Sequence, residues 1–168
     1  MTGSSHSALA GEPAAPGTWG RGDRVLLILA VVTLVLIAVQ FALAGFGAFT
    51  MDKTPTDNAY GAHMVLGVVI GVMTWLILAT VLASRTARTH PRTLRLAIAV
   101  ALLALPVEAL LGDTGQHIPA LGALHALNGL AIFALTGWLT GETVRRRAAA
   151  REPGRSVASA PPERTGRL

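Results

Sequence analysis

Four long apolar runs limit what this chain can fold into. They extend over residues 25–49, 61–84, 94–112 and 119–140, and the only Lys or Arg inside them is Arg95. Each run is long enough to cross a hydrocarbon layer of about 30 Å as a helix that rises about 1.5 Å per residue. A composition with 52% hydrophobic residues is that of a membrane protein rather than of a soluble domain. The sequence therefore predicts an all-α fold, a bundle of four transmembrane helices.

The arginines predict how this bundle is oriented. They lie before the first run, between the second and third runs, and after the fourth run: Arg21, Arg24, Arg85, Arg88, Arg92, Arg95, Arg145, Arg146 and Arg147. The other two connections, which carry Lys53 and Asp113, are poor in basic residues. Because Lys and Arg are enriched in cytoplasmic loops, we expect a multi-pass protein of the cell membrane with both termini in the cytoplasm.

The two ends of the chain have the composition of disordered tails. Residues 1–23 are rich in Gly, Ser, Ala and Pro, and residues 142–168 are basic and have no apolar face. The predicted membrane domain is therefore residues 24–141. One alternative concerns the first run, because "ALAG" at residues 42–45 resembles a signal-peptide cleavage site, although the apolar run continues through Phe46 and Phe49.

Five polar residues interrupt the apolar runs: Gln40, His63, Glu108, His125 and Asn128. Such residues are costly inside a membrane, so they normally face the bundle interior and find partners there. In the predicted topology all five fall in the outer part of the bundle. With Asp57 as the N-cap of the second helix and Pro119 as the first residue of the fourth, His63 and His125 are about the sixth and seventh helical residues. We therefore expect the two histidines at the same depth.

Each histidine is followed by a glycine four residues later, Gly67 after His63 and Gly129 after His125. Residues four apart share a helix face, so a patch without side chains is expected one turn deeper than each histidine. A large, flat ligand held by both imidazoles would need such a gap. The alternative is that Gly67 and Gly71 form a GxxxG pair whose only role is close helix packing.

The histidines favour haem over a bare metal ion. A zinc site usually has four ligands, and His63, His125 and Glu108 are too few, while the chain has no cysteine to complete the set. Haem iron needs only two axial ligands, and bundle cores hold such sites. We expect Gln40, Glu108 or backbone carbonyls to hold the second ring nitrogens. Asn128 is placed to bond a haem propionate, a carbonyl or the next helix. The alternatives are a His125 imidazole bonded only to Glu108 or Asn128, and a His63 lying among the headgroups.

Two stretches carry a resemblance to a known family. "VEALLGDTGQHIPALGALHALNGLAIFAL" and "VQFALAGFGAF" resemble parts of one four-helix half of haem A synthase, a membrane protein built from two such halves. The resemblance covers about residues 25–140. Small uncharacterised four-helix membrane proteins share the same arrangement of helices. It implies that His63 and His125 are the histidines of the second and fourth helices. Tyr60 and Met64 replace a glutamate and an arginine of the family's substrate-side half, and the second half is absent. The resemblance therefore implies a haem b site rather than synthase activity.

Three functions follow from these observations. The first is a membrane protein that binds one haem b for electron transfer or haem handling, with a quinone or a redox protein as partner; two histidine ligands leave no open position on iron, so no catalysis is expected. The second is a small proton-coupled transporter that uses Glu108, near a helix bend at Pro106. The third is an accessory subunit without a ligand. A homodimer is compatible with each, and the net charge of +5 lies in loops and tails rather than on a nucleic-acid-binding surface.

Overall fold

The structure, a computed structural model, describes residues 19–50 and 60–151, and within these ranges it contains helices and no strand. A π-helical turn, Leu103–Val107, joins two of the helices. The α-helices are α1 Arg21–Thr50, α2 Gly61–Ala83, α3 Thr86–Thr89, α4 Pro91–Leu102, α5 Glu108–Gly115 and α6 Pro119–Arg151. The all-α prediction is confirmed for the described part of the chain.

Four helical stretches are long and apolar enough to cross a membrane: Arg21–Phe49, Gly61–Ala83, Pro91–Gly115 and Pro119–Arg151. The third comprises α4, the π-helical turn and α5. These stretches match the four predicted spans within a few residues, except that α6 continues to Arg151. Residues 142–151, predicted as the start of a disordered tail, are helical because Ala and Arg are strong helix formers. Residues 21–23, predicted in the first tail, belong to α1. The rest of both predicted tails lies outside the described residues.

The four spans pack as a bundle in which consecutive spans are neighbours. The first span packs against α2 and α6, and the third span packs against the same two helices. Short connections between consecutive helices favour this arrangement, because they keep each helix antiparallel to the next. As a result, α2 and α6, the helices with the two histidines, lie across the diagonal of the bundle.

The bundle interior contains two apolar clusters separated by small polar residues. One cluster is formed by Leu26, Ala30, Ile77, Val81, Ala97 and Leu139, and the other by Ile37, Ile70, Val100, Ala104 and Ile132. Three fully buried threonines, one in each of α1, α2 and α6, lie between the two clusters along their helices: Thr33, Thr74 and Thr136. We call these three residues the threonine layer. Their short side chains allow close helix packing.

The third span is widened at the π-helical turn that includes Pro106. Proline has no backbone N–H and cannot donate to the carbonyl four residues earlier, so it disturbs the regular ladder. The sequence predicts a bend at this proline, and the structure gives the disturbance its form, a single π-helical turn. Such turns are frequent at functional sites, and Glu108 is the first residue after it.

Candidate functional site

The five polar residues of the spans form one continuous series of contacts across the bundle. In order of contact they are Gln40, His63, His125, Glu108 and Asn128; we call this set the polar layer. All five side chains are half-buried. The structure thus brings together residues from four different spans that are separated by up to 88 positions in sequence, which is the interval from residue 40 to residue 128.

Two contacts join Gln40 and His63, each between the side chain of one residue and the backbone carbonyl of the other. The Gln40 side-chain amide donates to the His63 carbonyl oxygen at 2.9 Å. The His63 Nδ1 atom lies 3.2 Å from the Gln40 carbonyl oxygen. If Nδ1 carries the ring proton, it donates to that carbonyl and leaves Nε2 as a free electron-pair donor. The predicted backbone acceptor for one ring nitrogen is therefore present at His63.

The two histidine rings face each other across the bundle diagonal. Their ring centres are 6.2 Å apart, with an angle of 72° between the ring planes. The position of His63 in its helix differs from the predicted one. Because α2 begins at Gly61, His63 is the third helical residue rather than the sixth. The predicted N-cap, Asp57, lies outside the described residues. His125 is the seventh residue of α6, which begins at Pro119 as predicted.

Glu108 links the second histidine to Asn128. One carboxylate oxygen, Oε1, is 3.4 Å from His125 Nδ1, and the other, Oε2, accepts from the Asn128 amide at 2.6 Å. The contact with His125 is an electrostatic one, because its geometry is not that of a hydrogen bond and Nδ1 has no hydrogen-bond partner among the described residues. A small rotation of either side chain would make Glu108 the acceptor for His125 Nδ1.

Asn128 also holds the π-helical turn. Its side-chain amide donates to the Leu103 carbonyl oxygen at 3.1 Å in addition to Glu108. Of the three partners considered for Asn128 in the sequence, the backbone carbonyl and the neighbouring helix are the ones observed. Asn128 thus fixes both ends of the segment that carries Glu108 toward His125.

The glycines beside the histidines are covered by side chains rather than facing an open gap. A Cβ atom on Gly67 would lie 3.1 Å from Gln40 Nε2, and one on Gly129 would lie 3.4 Å from Glu108 Oε1 and 3.5 Å from the Phe41 ring. The expected gap for a flat ligand is therefore filled by the ends of flexible side chains, which must move before such a ligand enters. Gly71 has a packing role, since a Cβ there would meet Leu105 at 2.6 Å.

Two further residues belong to this site and are missed by the sequence analysis as site residues. Gly112 of α5 provides the surface against which the His125 ring packs, because a Cβ there would lie 3.3 Å from His125 Cε1. Tyr60 packs edge-to-face on His63 with 6.1 Å between ring centres. The sequence gives a weak indication for Gly112, because small residues surround the predicted connection after the third span. It gives none for the contact of Tyr60 with His63, which depends on where α2 begins.

His63 and His125 are the residues of the polar layer that could hold a haem iron. A metal–imidazole bond is about 2 Å long, so two imidazoles bonded to one iron through facing nitrogens have ring centres about 6 Å apart. The observed separation is 6.2 Å. His63 Nδ1 lies 3.2 Å from the Gln40 carbonyl oxygen and His125 Nδ1 lies 3.4 Å from Glu108 Oε1, and no described residue forms a hydrogen bond with either Nε2. Among the described residues there is no group of three metal-ligating side chains.

An apolar groove on the surface of the bundle is not part of this site. It lies between α2 and the π-helical turn and is lined by Val72, Trp75, Leu76, Ala79 and Leu105. None of these residues belongs to the polar layer, and none offers a charged or metal-ligating group. The groove is therefore suited to lipid chains rather than to a cofactor held by polar contacts.

Comparisons with protein-family models, with curated proteins and with solved structures found no match for this chain. The functional assignment below depends on the geometry of the polar layer.

Proposed function

We propose that the chain is a membrane protein that binds one haem b between α2 and α6, with Nε2 of His63 and Nε2 of His125 as the axial ligands. The observation that carries the proposal is the pairing of two imidazoles across the bundle diagonal, with ring centres 6.2 Å apart and each Nδ1 atom within 3.4 Å of an oxygen atom. An oxygen atom that accepts a hydrogen bond from the other ring nitrogen fixes the tautomer and the ring orientation of a metal-bound histidine.

The other polar residues hold the two histidines in place. With the ring proton on Nδ1, His63 donates a hydrogen bond to the Gln40 carbonyl oxygen, and the Glu108 carboxylate, held by Asn128, lies beside His125 Nδ1. When bound, haem iron supplies one-electron transfer. The half-exposed position of the site suits exchange of electrons with a quinone or with a redox protein at the membrane surface, and it equally suits the handling of haem itself.

We further propose that the polar layer lies near the outer face of the cell membrane and that both termini are cytoplasmic. The concentration of arginine at the opposite end of the bundle supports this orientation. Single cysteines placed at positions 53 and 113 should react with a membrane-impermeant thiol reagent in intact cells, and one at position 88 should not. Labelling at 88 without labelling at 53 would reverse the orientation.

The experiment that tests haem binding is a reduced-minus-oxidised absorption spectrum of the purified protein, expressed with haem supplied. We expect a low-spin spectrum for the wild type. His63→Ala and His125→Ala should each leave iron with one protein ligand and give a high-spin spectrum or loss of haem, and the double variant should retain none.

The chain provides matched controls in two histidines outside the polar layer. His90 lies between α3 and α4, and His117 lies in the turn after α5. His90→Ala and His117→Ala should keep the wild-type spectrum. A wild type without a Soret band, or a His125→Ala protein with the unchanged low-spin spectrum, would contradict the proposed site.

A further inference from the structure

The end of the bundle opposite the polar layer has a high density of positive charge. The start of α1, the connection from α2 to α4, the first turns of α4 and the end of α6 meet there, since Asp23 contacts Thr86 and Arg146 across these elements. Nine arginines at this end have exposed side chains: Arg21, Arg24, Arg85, Arg88, Arg92, Arg95, Arg145, Arg147 and Arg151. We call these nine residues the arginine ring.

The carboxylates at this end are occupied by other partners. Asp23 accepts from the Thr86 hydroxyl at 3.0 Å and from the Gly20 backbone N–H at 3.1 Å, and it pairs with Arg146 at 3.8 Å. Glu142 accepts from the Thr93 hydroxyl at 3.2 Å. Within residues 19–50 and 60–151, no carboxylate forms an ion pair with a member of the arginine ring. The charge of the ring is therefore not neutralised by the described part of the protein.

Three consecutive arginines of α6 differ in their surroundings: the middle one, Arg146, contacts other residues of the protein, and its two neighbours lie on the surface. Arg146 is turned inward, with a side chain 16% exposed, and it donates to the Thr143 hydroxyl at 3.1 Å. Arg145 and Arg147, on either side of it, are exposed. Since α6 has 33 residues, it is about 50 Å long at the standard helical rise, and so it extends beyond a hydrocarbon core of about 30 Å. Its exposed arginines are thus placed at the level of lipid headgroups.

We propose that the arginine ring binds the phosphate groups of anionic phospholipids at the membrane surface where it lies. A guanidinium group forms paired hydrogen bonds with phosphate oxygens, and it remains charged at all physiological pH values. Exposed arginines near an anionic membrane surface are attracted to it, so they should raise the share of anionic lipid in contact with the protein. This interaction does not depend on haem and assigns the ring a lipid partner in addition to its effect on orientation.

The test uses the full chain reconstituted into phosphatidylcholine bilayers that contain spin-labelled lipid at trace level. Electron paramagnetic resonance measures the fraction of label immobilised by the protein, first with labelled phosphatidylglycerol and then with labelled phosphatidylcholine. We expect a severalfold preference for phosphatidylglycerol that decreases as NaCl is added, because salt screens exposed charges.

Variants of α6 provide the decisive comparison. Replacing Arg145, Arg147 and Arg151 together by Gln should reduce the preference at least twofold, and replacing the same three by Lys should retain most of it. The six other arginines of the ring remain, so the signal for orientation is preserved in both triple variants. The matched control is Arg146→Gln, which should lower the thermal stability in bilayers of either lipid while keeping the lipid preference.

Three results would overturn the proposal. One is a wild type that immobilises both lipids equally, and another is a triple Gln variant with the full preference. The third is displacement of the labelled phosphatidylglycerol by inorganic phosphate beyond the effect of NaCl at the same ionic strength, which would indicate a site for a soluble anion instead of a lipid surface.

Discussion

The polar layer and the threonine layer both place hydrogen-bonding groups inside an apolar bundle, but they satisfy them differently. Thr33, Thr74 and Thr136 are fully buried, and each hydroxyl donates to a carbonyl of its own helix at 2.7 Å. The polar layer is half-buried and bonds between helices. It leaves Gln40 Oε1 and His125 Nδ1 buried without a hydrogen-bond partner in the part of the chain that the structure describes.

The difference separates polar residues that serve packing from those of the proposed binding site. A threonine bonded to its own helix needs no particular neighbour, so it costs little and allows close approach of helices. Polar groups that reach across helices are costly in a membrane unless every group is satisfied. The incomplete satisfaction of the polar layer, together with two unbonded Nε2 atoms, is the expected state of a site that is completed by a ligand.

The largest effect is expected from removal of the Glu108 carboxylate. Glu108→Leu leaves the Asn128 amide without one of its two acceptors and removes the oxygen beside His125, and an unsatisfied buried polar group costs about 1–3 kcal/mol. We expect a lower free energy of unfolding in detergent and weaker retention of haem. Glu108→Gln keeps the shape and an acceptor oxygen, so it should change stability and the haem midpoint potential only modestly.

The same Glu108→Gln variant distinguishes the proposed site from a transporter. In the transporter hypothesis, Glu108 must gain and lose a proton, which glutamine cannot do. Proton-coupled uptake into vesicles that the wild type catalyses and Glu108→Gln abolishes would contradict the positioning role. We expect no such uptake, because the carboxylate is bound by Asn128 and lies about two turns before the end of the third span, at the outer end of the proposed orientation.

The smallest effect is expected in the threonine layer. Thr74→Val removes a hydroxyl that bonds only to the Gly71 carbonyl of the same helix, and it keeps the branched shape of the side chain. We expect a change in the free energy of unfolding within about 1 kcal/mol and an unaltered haem spectrum. A loss of haem in Thr74→Val as large as that in Glu108→Leu would remove the distinction between the two layers.

The sequence predicts the spans well because the length of an apolar run and the helical rise set what can cross a membrane. The sequence places the end of the fourth helix too early, because residues 142–151 are charged and lack an apolar face but consist largely of strong helix formers. This misplacement also hid the contacts that Glu142 and Arg146 make with Thr93 and Asp23.

The members of the polar layer could be predicted because ionisable and amide groups are rare in spans and all of these lie toward the same end of the predicted bundle. The contacts between them could not. The π-helical turn changes the spacing of residues along the third span through local backbone geometry. Asn128 bonds to the carbonyl of Leu103, the first residue of that turn. The covering of Gly67 and Gly129 by Gln40, Glu108 and Phe41 likewise depends on how the helices pack.

The central claim is that the polar layer is a binding site for one haem held by two imidazoles. The most direct measurement is a titration of the purified, haem-free wild type with ferric haem, followed in the Soret region, beside the His63→Ala/His125→Ala double variant. The account predicts saturation at one haem per chain with a low-spin spectrum in the wild type, and no saturable binding in the double variant. Failure of the wild type to saturate, or the same low-spin spectrum in both proteins, would contradict it.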